Sequence, residues 1–130
     1  MPDYYYFPVI IISPALAAII YAMVLRWRKE NFAKCLTQSG AMMFGSCHCP
    51  RCQAQKAMFD SAWQYVTYIE ANNTCPNYDP NWGQKLGLSG TIAFPTWKFP
   101  DGFTCQYQDH VLSLDELAAL GKLHGANCKY

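Results

Sequence analysis

The pattern of apolar and polar positions divides the chain into two parts. Residues 4–25 form a 22-residue stretch without a charged side chain, and a basic cluster follows at residues 26–29. As an α-helix rising about 1.5 Å per residue, this stretch would cover roughly 33 Å, enough for the hydrocarbon core of a bilayer. The pattern therefore predicts an N-terminal transmembrane anchor with a charged junction over residues 1–30, and one compact domain over residues 31–130.

A cleaved signal peptide is the competing interpretation of residues 4–25. Such peptides begin with a positively charged segment and have a shorter apolar core, whereas this chain begins Met-Pro-Asp-Tyr-Tyr-Tyr. Two sequence signals disagree about the orientation of the anchor. Its basic flank places the following domain in the cytoplasm, while seven cysteines in the rest of the chain favour an oxidising compartment.

Periodicity predicts a mixed sheet flanked by helices in residues 31–130. The predicted elements, in chain order, are a buried strand over 41–44, an amphipathic helix from Pro50 to about Trp63, a strand over 65–69, a loop over 75–90 with at most a short helix, a hairpin over 96–107 and a helix from Ser113 to about Leu123. The last helix is expected to begin with a capping box formed by Ser113 and Glu116. This order is typical of an α/β protein with a thioredoxin-like fold, here preceded by the predicted transmembrane helix.

Charge excludes one class of partner. From Asn31 onward the chain has seven Lys and Arg residues against seven Asp and Glu residues, with no basic run. A nucleic-acid-binding domain needs a basic patch to neutralise phosphates. We therefore expect no nucleic-acid partner.

The motif Cys49-Pro50-Arg51-Cys52 lies where the predicted strand gives way to the predicted helix. Unpaired N–H groups and the positive end of the helix dipole favour thiolate over thiol at such a position. A thiolate attacks a disulfide, and a second cysteine one helical turn later resolves the mixed disulfide. Cys49 is the predicted nucleophile and Cys52 the predicted resolving thiol, with this redox-active pair in place of any separate cofactor or metal.

Three neighbours of the pair have predicted roles. Pro50 suits the first helical position, where its missing N–H has no partner to lose. Arg51 adds a permanent positive charge that lowers the pKa of Cys49, and stabilising the dithiol makes the pair more oxidising. His48 is a candidate for proton transfer or for raising the thiolate fraction, with simple solvent exposure as the alternative.

Two other functions remain open from the sequence. Cys47, His48, Cys49 and Cys52 offer four ligands for zinc, which makes a metal-binding or metal-delivery module the main alternative. Structural zinc sites usually join two separated knuckles, and this chain has no second C-x-x-C, so the residues favour redox chemistry. The third interpretation is an inactive, membrane-anchored interaction domain whose cysteine pair neither oxidises nor exchanges.

Four segments resemble a known family. They are residues 32–37 (FAKCLT), 49–56 (CPRCQAQK), 94–102 (FPTWKFPDG) and 112–117 (LSLDEL). Together they are similar to the thioredoxin-like domain of bacterial vitamin K epoxide reductase homologues, over residues 31–128. The resemblance implies a thiol-disulfide oxidoreductase that passes disulfides to protein thiols, partnered with a quinone-coupled membrane oxidase.

The resemblance also implies roles for individual residues. Pro95 corresponds to the cis-proline of the fold, so Phe94 and Pro95 are candidates for contact with a peptide substrate. Cys35 and Cys128 match the family pattern and are expected to form a structural disulfide. This implied bridge and the resemblance itself together outweigh the basic flank, so we predict that the anchored domain lies outside the cytoplasm.

The chain departs from the family at two places. Cys47 and His48 stand where the family has an aromatic pair, which puts the usual substrate surface in question. In the loop after Ile69, only Cys75 appears where the family has two cysteines. A Cys75–Cys105 bridge and a buried, unreactive Cys105 thiol are both open.

Overall fold

The structure is a computed structural model, and it describes residues 8–130. Its elements, in chain order, are helix α1 (Pro14–Ser39), strand β1 (Met42–Gly45), helix α2 (Pro50–Ala57), a 3-10 helix (Asp60–Tyr65), strand β2 (Tyr68–Glu70), helix α3 (Trp82–Leu86), strands β3 (Thr96–Lys98) and β4 (Thr104–Gln106), and helix α4 (Leu114–Leu123).

The four strands form one mixed sheet in the order β2-β1-β3-β4. Strand β1 pairs in parallel with β2 and antiparallel with β3, and β3 pairs antiparallel with β4 as a hairpin. Phe44 of β1 is opposite Ile69 on one side and Thr96 on the other. The predicted α/β class, with a mixed sheet flanked by helices, is confirmed.

The core lies between the sheet and the second half of α1. Phe32 and Leu36 of this helix are fully buried, together with Phe59 and Trp97. The rings of Phe32 and Phe59 stack at 6.2 Å between centroids. Helix α1 therefore belongs to the packed domain and runs without a break across the boundary predicted between residues 30 and 31.

The predicted transmembrane helix over residues 4–25 is wrong. Among residues 8–130, no helix combines the length and the apolar character needed to cross a membrane. Helix α1 starts only at Pro14, where the Ser13 side chain caps it by accepting a hydrogen bond from the Leu16 N–H at 3.2 Å. Positions 4–7 of the predicted segment lie outside the described residues. The helix carries charged side chains from Arg26 onward, so its apolar part is short.

The predicted membrane-anchored localisation, with the domain outside the cytoplasm, is corrected on the same finding. The prediction treated an uncharged stretch as a continuous helix, but Ser13 and Pro14 begin the helix well inside that stretch. The charged residues interpreted as a junction lie within α1 itself, where Lys29 forms an ion pair with Asp60.

The predicted helix over residues 50–63 is divided in two. Helix α2 ends at Ala57, and Asp60 has a positive φ of 49° that an α-helix cannot accommodate. The chain then forms the 3-10 helix, which buries Ala62. The apolar spacing identified residues that face the core but not this break. By contrast, the predicted capping box of α4 is confirmed, since Ser113 and Glu116 each bond the other's backbone N–H.

Candidate active site

The Cys49–Cys52 pair lies at the N-terminal end of α2. Cys49 is the N-cap residue, and its Sγ accepts a hydrogen bond from the Cys52 backbone N–H at 3.3 Å. Pro50 occupies the first position of the helix. Both thiols are free; Cys49 is half-buried, and Cys52 is completely buried.

The two thiols differ in acidity. Partial burial raises the pKa of Cys49, but hydrogen bonds from Cys52 and Arg51 outweigh this and bring its pKa below the ordinary value. For Cys52, burial and the hydrogen bond with Cys49 raise the pKa to about 12. The partly exposed sulfur of Cys49 is therefore the more acidic of the two, and the buried sulfur of Cys52 is the one that holds its proton more tightly.

Arg51 is held beside the pair by an aromatic ring. Its guanidinium carbon lies 4.2 Å from the centroid of the Tyr107 ring, within the range of a cation–π contact. Tyr107 also donates its backbone N–H to the Pro95 carbonyl at 3.0 Å. Tyr107, the residue that follows β4, therefore holds both Arg51 and the Phe94-Pro95 segment in place.

The Phe94-Pro95 segment borders Cys49 on the other side. The peptide bond between Phe94 and Pro95 is cis, and the Phe94 carbonyl oxygen lies 3.8 Å from Cys49 Sγ. Pro95 is buried and Phe94 is half-buried. An open groove next to this segment is lined by Ser46, Ala71, Asn72, Asn73, Tyr78 and Phe94.

A disulfide joins Cys47 and Cys75 beside the free pair. The Cys75–Cys105 bridge left open from the sequence is therefore not formed, and Cys105 is a free thiol whose pKa is raised by burial and by Glu116. A side-chain hydrogen bond also joins the loop before Cys49 to the loop that carries Cys75. His48 Nε2 lies 3.1 Å from Thr74 Oγ1.

Cys47, His48 and Cys75 form the one potential metal-ligand cluster of the described residues, with ligand atoms within 4.8 Å of one another. The ligand set proposed from the sequence was different, since Cys49 and Cys52 are not in this cluster. Both sulfurs of the cluster are bonded to each other, so in this state only the imidazole of His48 is available to a metal.

Cys35 and Cys128, the two cysteines that the family resemblance pairs, are joined by a disulfide across 93 residues of sequence. Cys35 lies within α1, and Cys128 is only 4% exposed at the C-terminal end of the chain. This bridge fastens the C-terminal residues to α1 and involves neither sulfur of the Cys49–Cys52 pair.

Sequence reasoning missed three polar residues that support the site. Gln55 is fully buried in α2 and bonds the backbone of Leu112 twice, at 2.8 and 3.1 Å, which fixes α2 against the start of α4. The other two are in β2, where the Tyr68 hydroxyl donates a hydrogen bond to the buried Glu70 carboxylate at 2.9 Å and Glu70 pairs with Gly45 of β1. The sequence signal that could have identified Glu70 is a carboxylate at the end of a short, otherwise apolar strand.

A scan of the chain against protein-family models finds no family model that matches it. The structure itself contains disulfide-forming cysteine pairs and a Cys-His-Cys cluster, on an α/β fold with a four-stranded mixed sheet. These features are compatible with thiol-disulfide chemistry and with metal binding.

Proposed function

We propose that this protein is a thiol-disulfide oxidoreductase that exchanges disulfides with protein thiols through Cys49 and Cys52. The observation that carries the proposal is the asymmetry of this pair. Cys49 is partly exposed with a lowered pKa, while Cys52 is buried one turn later with a raised pKa. A nucleophile and a resolving thiol need these two environments.

The exchange has two balanced steps. When the pair is reduced, the Cys49 thiolate attacks a partner disulfide R–S–S–R′, forms a Cys49–S–S–R bond and releases R′–S⁻. Cys52 then loses its proton and attacks Cys49 Sγ, which forms the Cys49–Cys52 disulfide and releases R–S⁻. The partner gains two electrons, and the pair loses them. The reverse sequence delivers a disulfide to a substrate dithiol.

We propose disulfide donation as the physiological direction. Arg51 and the N-terminal end of α2 stabilise the Cys49 thiolate, which favours the reduced pair and makes its oxidised form a stronger oxidant. The resemblance to the vitamin K epoxide reductase homologues supports the same direction and suggests a quinone-coupled membrane oxidase as the partner that reoxidises the pair. Phe94 and Pro95, beside Cys49, are the proposed peptide contacts.

The test is the reduction potential of the Cys49–Cys52 pair in the full chain. The protein is equilibrated in glutathione buffers, alkylated, digested and analysed by mass, so that each of the three cysteine pairs is followed separately. A potential well above that of thioredoxin, about −270 mV, supports a disulfide donor. A value near or below it supports a reductase, and a pair that never forms a reversible disulfide contradicts the proposal.

The Cys47-His48-Cys75 cluster favours metal binding as a second candidate function. A dithiol reductant would convert the Cys47–Cys75 disulfide to two thiols, and two thiolates with one imidazole are typical zinc ligands. The test is a zinc titration of the full chain before and after reduction by dithiothreitol. Protection of Cys47 and Cys75 from alkylation by zinc, lost in His48→Ala, supports a metal site; equal alkylation with and without zinc contradicts it.

A further inference from the structure

The Cys47–Cys75 disulfide connects the two loops that follow β1 and β2. Because these strands pair in parallel, their C-terminal ends lie at the same edge of the sheet. After β1 the chain passes through residues 46–48 to the exchanging pair, and after β2 it continues through residues 71–75. The disulfide joins the first of these loops to the second. The two are called the bridged loops below.

Side-chain hydrogen bonds connect the bridged loops beside the disulfide. His48 Nε2 lies 3.1 Å from Thr74 Oγ1, and Asn72 Nδ2 donates to Ser46 Oγ at 3.1 Å. His48 and Thr74 are exposed, and the other two residues are half-buried. Water competes for hydrogen bonds of this kind, so each adds little to the connection. The disulfide breaks only by chemical reduction, and it therefore provides the durable link.

The bridged loops form much of the wall of the open groove beside Phe94. The residues that line this groove are Ser46, Ala71, Asn72, Asn73, Tyr78 and Phe94. The groove adjoins Cys49 at two points. The Cys49 backbone N–H donates to the Ser46 carbonyl at 3.2 Å, and the Phe94 carbonyl oxygen lies 3.8 Å from Cys49 Sγ. A polypeptide whose cysteine is bonded to Cys49 therefore has its neighbouring residues beside this groove.

The chemistry of the groove indicates what it holds. None of its six lining residues carries a charge, and their side chains supply hydroxyl, amide and aromatic groups. Hydroxyl and amide groups bond the N–H and C=O groups of an extended chain, and aromatic rings cover its apolar side chains. The occupant is therefore an uncharged segment of the substrate protein, next to the cysteine that reacts.

We propose that the Cys47–Cys75 disulfide holds the groove in the shape that receives a substrate polypeptide, and that its reduction by a dithiol lowers exchange with polypeptides. This inference rests on the proposed function. With the disulfide intact, the bridged loops present Ser46 and Asn72 in fixed positions, and binding needs little further ordering. A small disulfide reaches Cys49 without the groove, so it reacts equally well in both states. The disulfide therefore determines substrate preference.

Reduction of the disulfide proceeds in two balanced steps. A thiolate of the dithiol attacks Cys47 Sγ, because Cys47 is half-buried whereas Cys75 is only 6% exposed. The Cys47–Cys75 bond breaks, its electron pair leaves on Cys75 Sγ, and that sulfur takes up a proton. The second thiol of the dithiol then attacks its own partner sulfur in the mixed disulfide and releases Cys47 as a thiol. Two electrons and two protons pass to the bridge, and the dithiol becomes a disulfide.

The test compares a peptide probe with a small probe. The first is an uncharged peptide whose central cysteine is capped with thionitrobenzoate, and the second is bis(thionitrobenzoate) disulfide. The full chain carries Cys52→Ser and Cys105→Ser, so that Cys49 is the free thiol and its adduct is trapped. A chelator keeps metal from joining the bridged loops. Acid quenching, digestion and mass analysis of the Cys49 adduct give a second-order rate constant for each probe.

We expect the added changes Cys47→Ser, Cys75→Ser to lower the rate constant for the peptide by about tenfold, as for the loss of one or two preorganised contacts. The rate constant for the small probe should stay within about twofold, because Cys49 still lies at the start of α2. The added changes Cys35→Ser, Cys128→Ser are the matched control. They also remove a disulfide, but neither residue lines the groove, so both rate constants should be those of the parent.

A second measurement tests the disulfide without replacing its cysteines. The parent chain is treated with dithiothreitol until mass analysis shows Cys47–Cys75 open, and the reductant is removed. The rate constant for the peptide should fall as in the double variant, while that for the small probe stays near its starting value. Reoxidation of Cys47–Cys75 should restore the rate for the peptide.

Three outcomes overturn the inference. They are an unchanged rate constant for the peptide after loss of the disulfide, an equal fall for both probes, and no recovery of the peptide rate on reoxidation. If the Cys47→Ser, Cys75→Ser protein fails to fold, as judged by circular dichroism, the reduced and reoxidised parent decides. A Cys49 that reacts with neither probe in the parent would instead contradict the proposed oxidoreductase function.

Discussion

The Cys49–Cys52 pair and the Cys35–Cys128 bridge each consist of two cysteines, but the surroundings of the two pairs differ. Cys49 lies at the start of α2, where backbone N–H groups and Arg51 stabilise a thiolate. Cys35 lies inside the long helix α1, bonded to a nearly buried Cys128. The free pair is suited to exchange, while the bonded pair connects distant parts of the chain.

The difference shows that position in the fold determines what a cysteine does here. A partly exposed thiol at the start of a helix gains both acidity and access to a substrate. A disulfide between α1 and the C-terminal residues restricts the unfolded chain instead. Cys47–Cys75 lies between these cases, because it is a bonded pair placed directly beside the free one.

The sharpest test of the comparison removes one sulfur of the free pair at a time. Cys49→Ser should reduce disulfide exchange by more than about 10³-fold, because it removes the attacking group itself. Cys52→Ser should stop turnover differently, by leaving a stable mixed disulfide at Cys49 that mass spectrometry detects. Cys105→Ser is the control and should keep the parent rate. Turnover that survives in Cys49→Ser would make a different cysteine the nucleophile.

The second test removes the structural bridge. The double variant Cys35→Ser, Cys128→Ser should lower the free energy of unfolding by about 4.6 kcal/mol, the chain-entropy value for a loop of this length. The initial rate of exchange by Cys49, measured below the new melting temperature, should stay near that of the parent. Thermal unfolding followed by circular dichroism measures the first quantity. If the folded double variant exchanged disulfides much more slowly than the parent, the Cys35–Cys128 bridge would have a role in exchange as well as in stability.

Gly45→Ala sharpens the comparison at the free pair. The new Cβ would meet Cys52 Sγ at 2.8 Å, so the sulfur or β1 must shift. We expect a loss of about 1–3 kcal/mol in unfolding free energy, as for other overpacked core sites. Gly83→Ala is the matched control, since no atom lies within 4 Å of its Cβ position in α3. Equal stability of the two variants would contradict the close packing around Cys52.

The sequence allowed prediction of the features that depend on neighbouring residues. The strand before the motif, the Cys49-Pro50-Arg51-Cys52 helix start and the Ser113 capping box all follow from local patterns, and the structure contains each of them. The mixed sheet followed from the order of elements. The apolar spacing over residues 50–63 also predicted a side that faces the core, and Phe59 and Ala62 on that side are buried, although α2 ends before them.

The features that were missed depend on contacts distant in sequence. Pairing of Cys47 with Cys75 could not be chosen among the several bridges that seven cysteines allow. Tyr68 and Glu70 come near the site only because parallel pairing places β2 beside Gly45. The transmembrane prediction failed because lack of charge in residues 4–25 does not show where a helix starts, and α1 starts at Pro14.

The smallest expected effect concerns the charge beside the free pair. Arg51→Met keeps much of the side-chain volume but removes the guanidinium whose hydrogen bonds help lower the pKa of Cys49. The midpoint of the rate of Cys49 alkylation against pH should therefore move to higher pH, with a loss of about twofold to fivefold in rate at neutral pH, as for one exposed charge interaction. Stopped-flow alkylation with iodoacetamide measures it. Arg51→Lys should retain most of the rate, and an unchanged midpoint in Arg51→Met would leave the N-terminal end of α2 as the main cause of Cys49 acidity.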